Sequence, residues 1–142
     1  MTAYPITVYY DASCPLCRAE IEAMKSRDDG HALRLIDASD PGFAPPDGVT
    51  RDELMSRIHA RDANGAWLRG LDVFAAVYEA AGLPRLARLY RSHALRPLLD
   101  RMYPWIADHR QALSALGLAR LFGLARRPAC PACAAAAPRS KV

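Results

Sequence analysis

The stretch VYYDASCPLCRAEIEAMK, Val8 to Lys25, puts an aspartate and two cysteines on a short seam between an apolar run and a helical one. Upstream, ITVYY, Ile6 to Tyr10, is β-branched and aromatic with almost no polar alternation, as expected of a strand covered on both faces. Downstream, Cys17, Ile21 and Met24 recur at i, i+4 and i+7, one stripe of a helix, while Arg18, Glu22 and Lys25 point elsewhere. Cys14 therefore takes the N-terminus of the first helix. There, unpaired backbone N–H groups and the positive end of the helix dipole favour a thiolate, the nucleophile of disulfide exchange. Pro15 suits the first turn, where its missing N–H has no intrahelical partner. Cys17 lies one turn on at the head of the core stripe and is expected to be the less exposed sulfur. Cys14 is then the attacking sulfur and Cys17 the resolving one, at a spacing that lets them meet in a disulfide without unwinding the helix. An ionised Asp11 would raise a neighbouring thiol's pKa, so it is a poor device for acidifying Cys14. Two readings stand for it: proton acceptor and donor for Cys17, or a cap and loop brace.

The rest of the chain extends this seam into a topology. Asp28-Asp29-Gly30 marks the end of the first helix, and ALRLIDAS supplies a second strand, joined by a right-handed parallel crossover. DPGFAPPDGVT reads as a surface loop, followed by a short helical stretch near Asp52-Glu53-Leu54. RIHARD and AWLRG flank Asn64-Gly65, a hairpin signal. LDVFAAVYEAAG follows as a helix with Leu71, Phe74, Tyr78 and Ala81 on one side, ending at Gly82 before Pro84. The expected fold is α/β and thioredoxin-like, a central mixed sheet with flanking helices. A C-terminal helical extension is expected beyond it, kinked or broken at Pro104, packing on the sheet and narrowing access to the cysteines. The division that follows is residues 1–83 as redox domain, 84–127 as helical extension and 128–142 as a mobile tail carrying Cys130 and Cys133.

Three stretches resemble one family. Asp11, Cys14 and Cys17 in DASCPLC resemble the D-x-x-C-x-x-C signature of the DCC family of thiol-disulfide oxidoreductases. NGAWLRGLDVFAAVYEAAGL, Asn64 to Leu83, is similar to that family's second signature, and LRPLLDRMYPWIADHR, Leu95 to Arg110, to its C-terminal helical segment. The likeness spans roughly residues 4 to 122. It implies dithiol–disulfide exchange by Cys14 and Cys17 with Asp11 at the site. No cofactor is implied, and the substrate would be a protein or low-molecular-weight thiol or disulfide. Thioredoxins and glutaredoxins usually carry a cis-proline before the third strand. That position falls near Met55-Ser56, and neither is proline.

Composition narrows the alternatives. In 142 residues the net charge is +4, mostly from arginine, which is weak evidence for nucleic acid or another anionic partner. No long apolar run suggests a membrane span or a leader, so the expectation is a cytoplasmic monomer. The four cysteines fall into two close pairs rather than the scatter of a secreted disulfide scaffold. One competing reading makes Cys14, Cys17, Cys130 and Cys133 a zinc site in a non-catalytic binding or interaction module, but the halves lie much farther apart than in a zinc ribbon. The CPAC tail at Cys130 to Cys133 is either incidental or a tethered relay to the first pair. LARLFGLARR is a basic amphipathic stretch that packing explains better than a membrane surface. His31, His59, His93 and His109 form no spaced motif. Tyr103, Trp105 and Arg110 could border the cysteines, though an aromatic set on a helix is more often core packing.

Overall fold

The computed structural model describes residues 2–117 and residue 120. The elements run β1 (Ile6–Tyr10), α1 (Pro15–Lys25), β2 (Leu33–Asp37), α2 (Arg51–Ser56), β3 (His59–Arg61), β4 (Trp67–Arg69) and α3 (Leu71–Ala80). After these come α4 (Pro84–Arg91), α5 (Arg96–Asp108) and α6 (Arg110–Ala115). The strands form one sheet in the order β2-β1-β3-β4. β1 and β2 are parallel, with Ile6 opposite Leu33 and Tyr10 opposite Asp37. β3 pairs antiparallel with β1, and β4 with β3. A mixed sheet in this order with flanking helices is the thioredoxin-like arrangement expected from the sequence.

The period of two along β1 divides the core. Ile6 and Val8 face Ile21 and Met24 of α1 and Val73 and Val77 of α3. Tyr9 turns to the other face, onto Ala38, Val49 and Leu54. The loop between β2 and α2 does more than cross the surface, because Phe43 and Val49 tuck under that second face. Tyr9 anchors the small cluster, with its ring 6.1 Å from Phe43 and 5.6 Å from Trp67.

Helix ends follow local chemistry. α1 stops at Lys25, ahead of Asp28-Asp29-Gly30, and Asp28 is instead buried as a brace. Burial would raise its pKa, but the Lys25 ammonium and the N–H groups of Ala32 and Leu33 outweigh that and hold it low. Thr50 and Glu53 close a capping box on α2. Gly70, with φ +54°, opens α3, and a Cβ there would sit 3.1 Å from the Tyr103 ring. That close approach seats α5 against the start of α3.

The extension packs on helices rather than directly on the sheet: α4 and α5 against α3, and α6 against α1. α5 runs through Pro104 to Asp108, and the break falls at His109. The hydrogen bond Pro104 cannot make leaves the Asp100 carbonyl on an exposed turn, where water can take it. LARLFGLARR apart from Arg120, and the tail with Cys130 and Cys133, lie outside the described residues.

Candidate active site

Cys14 is the N-cap of α1, and its Sγ accepts the Cys17 backbone N–H at 3.3 Å. The two sulfurs lie 2.8 Å apart as free thiols. The Asp11 carbonyl accepts the Cys14 N–H at 3.3 Å, closing the turn from β1 into α1. Asp37 at the end of β2 reaches over to accept the Ala12 N–H at 3.1 Å. The loop is thus held from both strands before the helix begins.

These contacts separate the two thiols. The Cys17 S–H donated to Cys14 pulls the Cys14 pKa down to about 6 against the opposing effect of burial, helped by the Cys17 N–H and the Arg110 guanidinium, while Asp11 opposes. The Cys17 thiol is pushed up, first by holding its proton toward Cys14, then by burial and the negative charge of Cys14.

Exposure overturns one expectation. Cys14 has 0% of its surface exposed, whereas Cys17 keeps part of its own. Cys14 is therefore fully covered, and Cys17 opens onto a cavity. α6 lies along α1 and brings Arg110 near the pair.

Asp11 is buried, at 5% exposed. One carboxylate oxygen accepts the Ser13 N–H at 3.0 Å and the Ser13 hydroxyl, and the other accepts Arg110 at 3.1 Å. Arg110 also donates to the carbonyls of Met55, at 2.6 Å, and Ser56, at 3.3 Å. The segment ahead of β3, where a cis-proline was sought and not found, is thereby tied through Arg110 to the cysteine loop. Of the three residues that reading weighed for the site, Arg110 joins it directly. Tyr103 does both tasks: its ring packs on Phe74 and its hydroxyl accepts the Ile58 N–H at 3.2 Å, while it also lines the cavity. Trp105 is 57% exposed and stacks on His109, so it is not core.

The cavity is about 480 Å³ and lies between α1, α3 and α5, with Cys17 and Arg110 in its wall. It also holds a residue the sequence reading passed over. Glu20 accepts the Tyr78 hydroxyl at 2.7 Å, and burial lifts its pKa to about 7 against the lowering effect of that bond. The signal was there: Glu20 is three residues past Cys17 and beside Ile21, so it falls on the core stripe of the helix.

Among the described residues, no group of three or more His, Cys, Asp or Glu could hold a metal ion. The four-cysteine zinc reading depends on residues outside that range. His59 is buried, with Nδ1 3.0 Å from the Arg57 carbonyl. No helix among the described residues is long and apolar enough to cross a membrane.

The chain is 28% identical over 110 residues to an Arabidopsis thaliana protein described as "Uncharacterized protein At5g50100, chloroplastic". The match covers 75% of this chain and 51% of that protein, so this chain spans about half the length of the relative. No solved structure matches the chain. The family described as DCC1-like thiol-disulfide oxidoreductase matches residues 8–116, from the first strand to the end of the last described helix. With the paired thiols at the head of α1 and the thioredoxin-like sheet behind them, the chain belongs to the DCC1-like thiol-disulfide oxidoreductase family.

Proposed function

We propose that this chain exchanges dithiol for disulfide through Cys14 and Cys17. The observation that carries the reading is the sulfur pair 2.8 Å apart at the N-cap of α1, polarised so that one sulfur is a thiolate near neutral pH. The Cys14 thiolate attacks a disulfide R–S–S–R, forming a mixed disulfide and expelling one R–S⁻. Cys17 then gives up its proton and attacks Cys14 Sγ, expelling the second R–S⁻ and closing the Cys14–Cys17 disulfide. Two electrons pass from the protein to the substrate, and the released thiolates take up the proton of Cys17 and one from water. The reverse sequence oxidises thiols.

The cover over Cys14 is the obstacle to this assignment, and the magnitudes favour it nonetheless. A pKa of about 6 leaves Cys14 mostly thiolate at neutral pH. Cys17, shifted the other way, is almost wholly protonated. Asp11 acts as a positioning residue, since both its oxygens are engaged with Ser13 and Arg110. The redox unit is residues 1–83, working as a monomer in a reducing, cytoplasmic setting, where paired rather than scattered cysteines belong.

Serine variants test the roles with bis(2-hydroxyethyl) disulfide as substrate and intact-mass spectrometry as readout. Cys14→Ser should abolish the mixed disulfide, and Cys17→Ser should accumulate it. Accumulation in Cys14→Ser instead reverses the roles, and no adduct in either variant sinks the reading.

A further inference from the structure

The cavity beside Cys17 is larger than resolution by one thiol requires, and its wall says what it takes. At about 480 Å³ it falls within the range of small-molecule sites, roughly 300–1,000 Å³. Its lining is mostly apolar, with Leu54, Ile58, Phe74, Leu99, Met102 and Ile106 drawn from both core clusters and from α5. The charged groups in that lining are already engaged. Arg110 pairs with Asp11, Arg57 with Asp108 at 2.9 Å, and Glu20 accepts from Tyr78. A charged ligand entering here would lose its hydration and meet no free counter-charge, whereas an uncharged ring or aliphatic body would gain contacts throughout. Cys17 forms part of the wall, and its Sγ lies 2.8 Å from Cys14 Sγ. A body seated in the cavity therefore lies against Cys17, one sulfur–sulfur contact from Cys14, and its own sulfur reaches Cys14 at the cavity's edge.

We propose that this cavity is the substrate site, and that it takes the uncharged, apolar body of a low-molecular-weight disulfide or thiol and discriminates against charged ones such as glutathione. The inference rests on the dithiol exchange proposed above and specifies its substrate. In the reducing direction, one molecule of an apolar disulfide R–S–S–R accepts two electrons from Cys14 and Cys17 and leaves as two R–SH, while the protein closes its disulfide. The half bound to Cys14 in the mixed disulfide stays within the cavity until Cys17 displaces it.

Binding and exchange are measured separately, on the full chain. Binding uses the Cys14→Ser/Cys17→Ser protein, which cannot exchange, titrated with the neutral fluorophore N-phenyl-1-naphthylamine. One saturable site is expected, weakened at least about tenfold by Ala107→Trp, which fills the cavity from α5. Leu99→Trp, also from α5, gives a second cavity-filling variant should the first fail to fold. Exchange compares 4,4′-dithiodipyridine with glutathione disulfide, each rate divided by that of the same disulfide with free dithiothreitol. The reduced protein should favour the neutral compound by at least about tenfold, and the cavity-filling variant should lose most of that preference. Absence of saturable binding, or equal normalised rates, overturns the proposal. So does a filled cavity that slows exchange with insulin but not with 4,4′-dithiodipyridine, because the cavity then serves a protein side chain. Saturable binding with no exchange by the wild-type chain overturns the redox reading on which this substrate rests.

Discussion

The two walls around the cysteine pair are built differently. On one side, α1 buries Leu16, Ile21, Ala23 and Met24 against the sheet, and the loop before it is held by Asp11 and Asp37. On the other, α5 and α6 contain no buried residue, and Leu98, Met102 and Trp105 on α5 are 56%, 46% and 57% exposed. They are held by the Tyr103 ring against Phe74 and by polar contacts: Arg110 to Asp11, Arg57 to Asp108, Arg96 to Asp72, and the Tyr103 hydroxyl to the Ile58 N–H. The cysteine pair thus sits on the well-buried wall and faces the thinly buried one. A cover with little buried apolar area opens at low cost. In the proposed exchange, that opening is what would bring Cys14, with no exposed surface, to a substrate.

The contrast breaks first on stability. Ile21→Ala empties a site 1% exposed in the main core and should cost about 3 kcal/mol, read from urea unfolding. Leu98→Ala on the opposite wall should stay within about 0.5 kcal/mol of wild type. Comparable losses would mean that α5 belongs to the core after all.

Arg110 sharpens the contrast, because it is the cover's main attachment to the cysteine loop. Arg110→Ala leaves the buried Asp11 carboxylate without its cation and should cost about 2 kcal/mol. Its sharper signature lies in the pH profile of Cys14 alkylation by iodoacetamide. The midpoint should move up from about 6, because a cation that favours the thiolate is gone. The plateau at high pH should rise, because the cover is looser. A raised midpoint with an unchanged plateau would leave Arg110 an electrostatic role only.

The same division sets how much was legible in the sequence. β1, α1, β2, the hairpin and α3 follow from short-range patterns: the β-branched run at Ile6 to Tyr10, the stripe from Cys17 to Met24, and Asn64-Gly65. The D-x-x-C-x-x-C spacing made the sulfur pair readable as well. What could not be read was set by contacts distant in the chain. The exposure of the two sulfurs depends on the tertiary packing around the head of α1, and the partnership of Asp11 with Arg110 joins residues 99 apart. Pro104 does not break the helix, for a local reason: a proline on an exposed turn leaves a carbonyl that water can satisfy, so α5 continues to Asp108. Glu20 was missed because its charge outweighed its position on the stripe, although its position is what brings it to the cavity.

Glu20 is also where the smallest expected effect discriminates best. Its pKa is raised in the folded chain to about 7 from an ordinary 4.5, because burial disfavours its charge more than the Tyr78 hydroxyl supports it. The folded chain therefore holds this proton more tightly than the unfolded chain does. The stability that comes with it is fully present below the ordinary 4.5 and is lost as pH rises through about 7. Glu20→Gln keeps an oxygen for the Tyr78 hydroxyl and does not titrate, so it mimics the protonated side chain at every pH. Wild type and variant should be equally stable at low pH, and the variant should pull ahead across the neutral range by on the order of 1 kcal/mol. The value is kept modest because a carboxyl in a cavity wall still meets water. Urea unfolding at a series of pH values reads the difference. A gap that stays constant with pH would mean that Glu20 is charged and solvated in the folded chain, and the cavity wall would then be more polar than its lining residues indicate.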